Sequence, residues 1–404
     1  MLTGIHTKTK GDKVIWAIVL ILTMMSLLVV YSSTGTLAYK LSKSTESYLF
    51  KQFVFIMMGL LLIYGAHKVN YTIYSRMAVF FFLVSIPLLL YTLFFGTSLN
   101  EANRWIKLPI INLTFQTSDL AKLGLFMYLG RQLSRKQAVI KDFRKGFLPL
   151  ILPVGIICAL IAPANLSTAL LVGATSLLLM FIGRVDLRHI GLVVLAAMIP
   201  LMFLVGVSAA YYDKEEKHSR ELPAFMQKGR VGTWVKRVQG FLFAGKEESA
   251  YQVQQAKIAI AKGSWMGLGP GNSESRNFLP HPYSDFIYAI IIEEYGLIGG
   301  AFVLFIYLAF LFRCIRLFKK CPYAFGAFLA LGLSFTLVIQ AMANMAVNVN
   351  LFPVTGVTLP LVSMGGSSFL FTCLAIGIIL SVARNVEQME QPVMVPADGD
   401  TKVG

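Results

Sequence analysis

Asp285 is the residue whose position most invites chemistry in this chain of 404 residues. It stands in the stretch 279–294, LPHPYSDFIYAIIIEE, where a long polar segment meets a strongly apolar run. A glutamate pair, Glu293 and Glu294, follows inside that run. Ionisable groups at membrane depth are costly, and a functional role is the first reading for them. A carboxylate placed at such a boundary can act as a base toward a hydroxyl. On a helix rising ~1.5 Å per residue, the pair lies roughly 12–13 Å beyond Asp285, with Glu293 within about 80° of its face and Glu294 nearly opposite. The competing reading is structural: Ser284 or Asp285 only caps a helix, and the glutamates anchor helix packing.

The elements that must position these groups are membrane helices. Hydrophobic residues make up 56% of the chain and charged residues only 14%. That is the composition of a polytopic membrane protein, and the predicted fold class is all-α. Ten apolar runs of spanning length have approximate cores at 14–33, 50–66, 77–96, 118–133, 147–162, 166–182, 188–209, 286–312, 324–347 and 360–383. The fourth is the weakest, because Asp119 and Lys122 fall in its first turns. The first follows three lysines, with no small-residue cleavage site after it, and reads as a retained span. With the N-terminus inside, the inner short segments carry 19 Lys or Arg and the outer short segments 6. The positive-inside rule then puts both termini in the cytoplasm. One long outer loop, about 210–284, joins the seventh and eighth helices.

The net charge of +16 does not call for nucleic acid, because over half of the basic residues sit beside spans as topological signals. The long loop holds eleven Lys or Arg against seven Asp or Glu, which fits either an anionic headgroup or phosphate ligand, or plain solvation. Cys158, Cys314, Cys321 and Cys373 are scattered, without metal-ligand spacing. The segment Gly96–Ser118 reads as lying at the membrane interface, anchored by Trp105. In the long loop, Ala250–Lys262 has the pattern of a short helix, and Gly263, Gly267, Gly269 and Gly271 follow within nine residues. Residues 344–368, NMAVNVNLFPVTGVTLPLVSMGGSS, combine Asn344, Asn348 and Asn350 with Pro353, Gly356, Pro360 and a Gly/Ser cluster. Small residues there permit close helix packing, the better reading taken alone, or a re-entrant backbone lining a cavity. The membrane domain spans 1–384, and the polar tail 385–404 reads as disordered. GLGPGN at 267–272 lacks the Lys-Ser/Thr of a P-loop, which argues against ATP-driven transport.

These outer motifs resemble those of the SEDS proteins (shape, elongation, division and sporulation), the FtsW/RodA/SpoVE family. RWIKLPIINLTFQTSDLAKL at 104–123 is similar to the family's RWI…FQPAELAKL, and GSWMGLGPGNS at 263–273 to GG(W/L)xGxGxGNS. LPHPYSDFIYAIIIEEYGLIG at 279–299 is similar to LPEAHTDFIFAxIGEExGLIG, and NVNLFPVTGVTLPLVSMGGSS at 348–368 to NLGLLPVTGxPLPFISYGGSS. The chain departs from these patterns at Tyr283 (His in the family), His281 (Glu), Ile292 (Gly), Met364 (Tyr) and Asn165 (often Asp). The HPYSDFIYAIIIEEYG wording and the long loop lie closer to the division branch than to the elongation branch.

The resemblance implies a peptidoglycan glycosyltransferase that polymerises lipid II on the outer face of the cytoplasmic membrane, at the division septum. It implies as partners lipid II, a class B penicillin-binding protein, other divisome membrane proteins and membrane lipid, with no nucleic acid. A pyrophosphate leaves as a stable anion, so one base can suffice where glycosidases need two carboxyls. Asp285 is the expected catalytic base, with Glu293 and Glu294 supporting it. Arg104 and Lys122 are expected to neutralise the leaving anion; for Lys122, a snorkelling helix-end lysine is the competing reading. Trp105, Gln116, Asn272, Asn344, Ser363, Ser367 and Ser368 complete the expected substrate-binding set. A divalent cation, Mg or Mn, could help with the pyrophosphate, and no organic cofactor is expected. A lipid II flippase, an elongation polymerase and a structural scaffold are the alternatives.

Overall fold

Each of the ten apolar runs folds as an α-helix. The computed structural model describes residues 11–35, 45–99, 102–108, 113–213, 218–219, 223, 231–243 and 248–390. The helices are α1 (Lys13–Ser33), α2 (Thr45–Lys68), α3 (Tyr71–Phe95), α4 (Thr117–Arg135), α5 (Leu148–Ile161), α6 (Leu166–Ile182) and α7 (Leu187–Ala210). Two further helices, α8 (Val231–Phe243) and α9 (Glu248–Gly263), lie in the long loop, followed by α10 (Ile287–Lys320), α11 (Ala324–Asn348) and α12 (Ser367–Glu390). Among the described residues, eight helices are long and apolar enough to cross a membrane. Of the other two expected spans, α6 has only 17 residues. α4 is too polar, and its position explains why. It packs between α3 and α11, with Phe126, Met127 and Leu129 fully buried. A helix shielded from lipid by its neighbours can carry Asp119 and Lys122.

Small residues let the central helices touch. A Cβ at Gly377 of α12 would lie 2.9 Å from the carbonyl oxygen of Ile63 in α2, and one at Gly130 of α4 would lie 3.2 Å from the Leu329 nitrogen in α11. Close backbone approach of this kind drives helix association where lipid removes the hydrophobic incentive.

Three segments differ from their sequence reading. The first is 96–118, where the sequence reading assigns no strands. It forms an antiparallel sheet of β1 (Thr97–Leu99), β2 (Ala102–Leu108) and β3 (Leu113–Gln116), with Trp105 opposite Gln116. Pairing satisfies backbone groups that an isolated strand would leave open. The second is the apolar run 360–383. Its first residues are not helical: α12 starts at Ser367, and the chain from Leu351 to Gly366 is irregular although much of it is buried. The third is the tail. α12 continues through Glu390, so residues 385–390 are helical, and 391–404 lie outside the described residues.

Candidate functional site

A cleft of about 960 Å³ opens at the end of the bundle that carries the long loop. It is lined by the Asp285 loop, the sheet, the first turns of α4 and α6, and the irregular segment before α12. The helical N-cap next to Asp285 is Phe286, without a side-chain bond. Asp285 therefore precedes the helix without capping it, and it lines the cleft.

The backbone around Asp285 is fastened by side chains from two other elements. Asn344 and Asn348, one turn apart on α11, both donate to the carbonyl of Asp285, at 2.9 and 3.0 Å. Asn348 also accepts from the Ala289 N–H at 3.0 Å. Ser363 donates to the carbonyl of Ser284 at 2.6 Å, and the Met364 N–H donates to that of Tyr283 at 3.0 Å. Asn344 and Ser363, expected to hold substrate, are thus buried positioning groups outside the cleft wall. Ser367 is likewise buried and accepts from the Gln116 N–H at 3.2 Å, tying β3 to α12.

The irregular chain before α12 obtains its hydrogen bonds the same way. Asn344 donates to Val357 O at 2.7 Å, Gln340 to Thr358 O at 3.0 Å, and Ser26 to Val362 O at 2.8 Å. Tyr307 donates to Pro360 O. Non-helical backbone at membrane depth survives only where protein or a wet cavity satisfies it. Gly356, Val357, Thr358, Met364, Gly365 and Gly366 of this segment line the cleft, so the re-entrant reading holds over plain packing. Leu361 sits at φ 63°, a left-handed value that a branched residue adopts only under constraint.

Three cations face the cleft among its described residues: Lys51, Lys122 and Arg237, against the carboxylates of Asp119 and Asp285. Lys122 pairs with Asp119 at 2.7 Å and donates to Gln340 at 3.1 Å. An ammonium has three donors, so one remains for a ligand oxygen. Lys122 is a partly buried residue of the cleft lining, held by Asp119 and Gln340. Arg237 lies outside the set of residues that the sequence points to. It rides on α8, whose Gln239 caps the end of α7 by donating to Ser208 O and Tyr211 O at 3.0 and 3.1 Å. The signal was present as apolar Val231, Trp234, Val235, Val238, Phe241 and Leu242 at helical spacing. Trp105, Gln116 and Ser368 line the cleft, as do His281 and Tyr283. Burial, then the nearby charge of Asp285, raises the Tyr283 phenol above its ordinary value. It stays a neutral hydroxyl at ordinary pH. The side chain of Arg104 lies outside the described residues.

Asn272 is not part of the cleft. It is exposed and donates to the Leu268 carbonyl at 3.0 Å. Glu293 and Glu294 are buried away from it. Glu293 accepts from Ser273 at 2.5 Å, and from the Ser275 N–H and hydroxyl at 3.1 and 2.8 Å; Glu294 accepts from Ser32. Their carbonyls accept from Leu268 and Gly269 at 2.9 and 3.0 Å. The glycine-rich loop replaces helical bonds that α10 loses at Gly296, where φ is 71°. Only glycines allow this: a Cβ at Gly267 would fall 2.2 Å from Glu294 O, and one at Gly296 2.1 Å from Trp265 O. The pair is a clamp between the loop and the broken helix that leads back to Asp285.

Among the described residues no three His, Cys, Asp or Glu side chains form a metal-binding group. Asp119 has one buried carboxylate oxygen without a partner, but a single oxygen beside an ammonium is no cation cage. The described residues alone therefore do not form a cage for a resident cation.

A bundle of apolar helices, with a charged cleft at one end and an irregular, largely buried chain along one wall, defines a multi-pass membrane protein. The profile of the FtsW/RodA/SpoVE family, described as "Cell cycle protein", matches residues 12–388. The chain belongs to that family. It is 34% identical over 350 residues to a probable peptidoglycan glycosyltransferase FtsW of Nitrosococcus halophilus, covering 83% of this chain and 82% of that one. It is 30% identical over 392 residues to stage V sporulation protein E of Bacillus subtilis, covering 93% and 98%. A chain solved in work on "structural coordination of polymerization and crosslinking by a peptidoglycan synthase complex" superposes with TM-score 0.70 at 25% identity, covering 93% of this chain and 98% of that one. The crystal structure of RodA from Thermus thermophilus shares the fold, with TM-score 0.63 at 23% identity over 93% and 97% of the two chains.

Proposed function

We propose that this protein is a peptidoglycan glycosyltransferase that polymerises lipid II at the outer face of the cytoplasmic membrane during septal synthesis. The observation that carries the reading is Asp285, on a backbone fastened by Asn344 and Asn348, in a cleft also lined by Lys51, Lys122 and Arg237. Asp285 takes the proton from the acceptor sugar 4-hydroxyl as that oxygen attacks the anomeric carbon of the donor. The bond to the lipid pyrophosphate breaks, and the pyrophosphate departs with the electron pair. Preorganised cations where that charge collects lower the barrier. Phe50, Val54, Phe55 and Met58 of α2 extend the cleft into an apolar wall, suited to the first units of a polyprenyl chain. Hard divalent cations such as Mg or Mn take many of their ligands from substrate phosphates, so such an ion would come with the pyrophosphate.

Names borne by the relatives support the division role, and the synthase-complex neighbour supports a class B penicillin-binding protein as partner. Other divisome membrane proteins belong to the same reading. The test is polymerisation of purified lipid II by purified protein with its partner, comparing wild type with Asp285→Asn. Glycan strands from wild type and none from the variant, at equal partner binding, is the expected result. Equal glycan from both would remove Asp285 as the base and return the flippase and scaffold alternatives.

A further inference from the structure

At the opposite end of the bundle from Asp285, a second cavity of about 540 Å³ opens among the cytoplasmic ends of α3, α4, α11 and α12. Arg76 reaches it from α3, and Arg131 and Arg135 from α4. Among the described residues that line it there is no Asp or Glu. Three described acids of this end are engaged elsewhere. Asp12 pairs with Arg313 at 2.6 Å, Glu387 accepts from the Gly11 N–H at 2.5 Å, and Glu390 pairs with Lys320 at 2.9 Å.

Two helix starts add to the positive potential. Asn70, the N-cap of α3, and Tyr323, the N-cap of α11, both line the cavity. Tyr323 makes no side-chain capping bond at the start of α11; the Cys321 sulfur lies against that first turn, and the positive end of the helix dipole faces the cavity side. Arg131 is held in the wall by donating to the Ser75 carbonyl at 2.9 Å, and its buried Nε has no partner. A guanidinium offers five donors in a fork matched to phosphate oxygens. Beside these groups lie Tyr71, stacked on Phe325 at 6.2 Å, and Met389.

The inside-positive asymmetry asks only for Lys or Arg near the membrane on this side. It does not require three arginines from two helices around one cavity that no lining acid neutralises. The geometry points to a phosphate-binding site, and the aromatic and thioether rim fits the phosphate of an anionic lipid in the cytoplasmic leaflet. Basic pockets between membrane helices on that side take such headgroups. This site is independent of the cleft and of the reaction proposed for it.

The test is thermal melting of the full purified chain in neutral detergent with added phosphatidylglycerol, phosphatidylcholine or inorganic phosphate. Arg76→Gln/Arg135→Gln is the pocket variant; both side chains are exposed, so the bundle should survive the change. Lys141→Gln, an exposed cytoplasmic cation outside the cavity, is the control. Phosphatidylglycerol should raise the melting temperature of wild type and control by several degrees, phosphatidylcholine should not, and the pocket variant should lose most of the shift. A shift with inorganic phosphate alone, also lost in the pocket variant, would assign the site to a soluble phosphate group. Equal shifts in wild type and pocket variant, or no shift with either anion, would overturn the proposal. Should the pocket variant fold poorly, Arg131→Lys, which keeps the charge but loses the fork, must still weaken the shift.

Discussion

α7 and α11 are both long, apolar helices, in opposite circumstances. α7 is the more hydrophobic of the two, yet none of its apolar stretch is buried inside the protein, whereas 78% of that of α11 is. α7 presents Leu192, Leu195, Met198, Ile199, Met202 and Phe203 outward. α11 buries Ser334, Gln340, Asn344 and Asn348. In lipid, the most hydrophobic helix is the outermost, and a polar residue marks the interior because only there can it find partners. The residues that position the site are therefore drawn from the less hydrophobic helix.

If that contrast is right, the largest effects should come from the loop that α11 holds. Asp285→Asn keeps the size of the side chain and removes the base. Since general bases contribute ~10²–10⁴ in rate, glycan synthesis should fall by that order with the melting temperature unchanged. A comparable loss of stability would mean that Asp285 is structural, and the contrast between site and scaffold would fail at its centre.

Next in size is the break in α10. Gly267→Ala places a Cβ 2.2 Å from Glu294 O at φ 81°. A non-glycine residue held at such a φ costs about 1–3 kcal/mol before any clash. We expect a lower melting temperature and reduced synthesis together. An unchanged melt would show that the loop does not bind the helix as tightly as its hydrogen bonds imply.

Asn348→Ala should have a smaller effect. It leaves the Ala289 N–H without its partner and the Asp285 carbonyl with Asn344 alone. An unsatisfied buried group costs about 1–3 kcal/mol. Activity should fall more than stability does, because the anchored atoms belong to the Asp285 loop. Melting and polymerisation measured on one preparation separate the two.

How far the sequence shows this arrangement depends on whether the interactions are local. All ten helices are legible, since hydropathy over about 20 residues is a local property. Asp285 is legible from its place at a polar–apolar boundary, and Lys122 from its charge inside a weak span. The roles of Asn344 and Ser363 are not. Their partners lie 59 and 79 residues away along the chain, and an amide expected to hold sugar looks the same as one holding a carbonyl. The sheet at 97–116 is hidden for the same reason, since strand pairing is set between segments. The break at Gly296 is masked by an apolar run on both sides, and only the glycines at 263–271 hint that another backbone approaches. Arg237 is not legible, because the amphipathic spacing that marks α8 is obscured by the charge of the surrounding loop.

The smallest effect should come from the helix that looks most important by hydropathy. Leu195 of α7 is 71% exposed on the protein surface, which in a membrane means contact with acyl chains. Exchanging one apolar side chain for a smaller one there neither opens a cavity nor strands a polar group. Substitutions away from such features usually stay within about 0.5 kcal/mol. Leu195→Ala should leave melting and lipid II polymerisation near wild type, whereas Leu329→Ala, fully buried in α11, should cost about 2–5 kcal/mol through the cavity it leaves. Equal costs at the two positions would mean that α7 is covered in the working assembly. A loss of activity at Leu195 without loss of stability would identify what covers it as a partner that the reaction requires. Either outcome would replace lipid by protein on the outer face of α7.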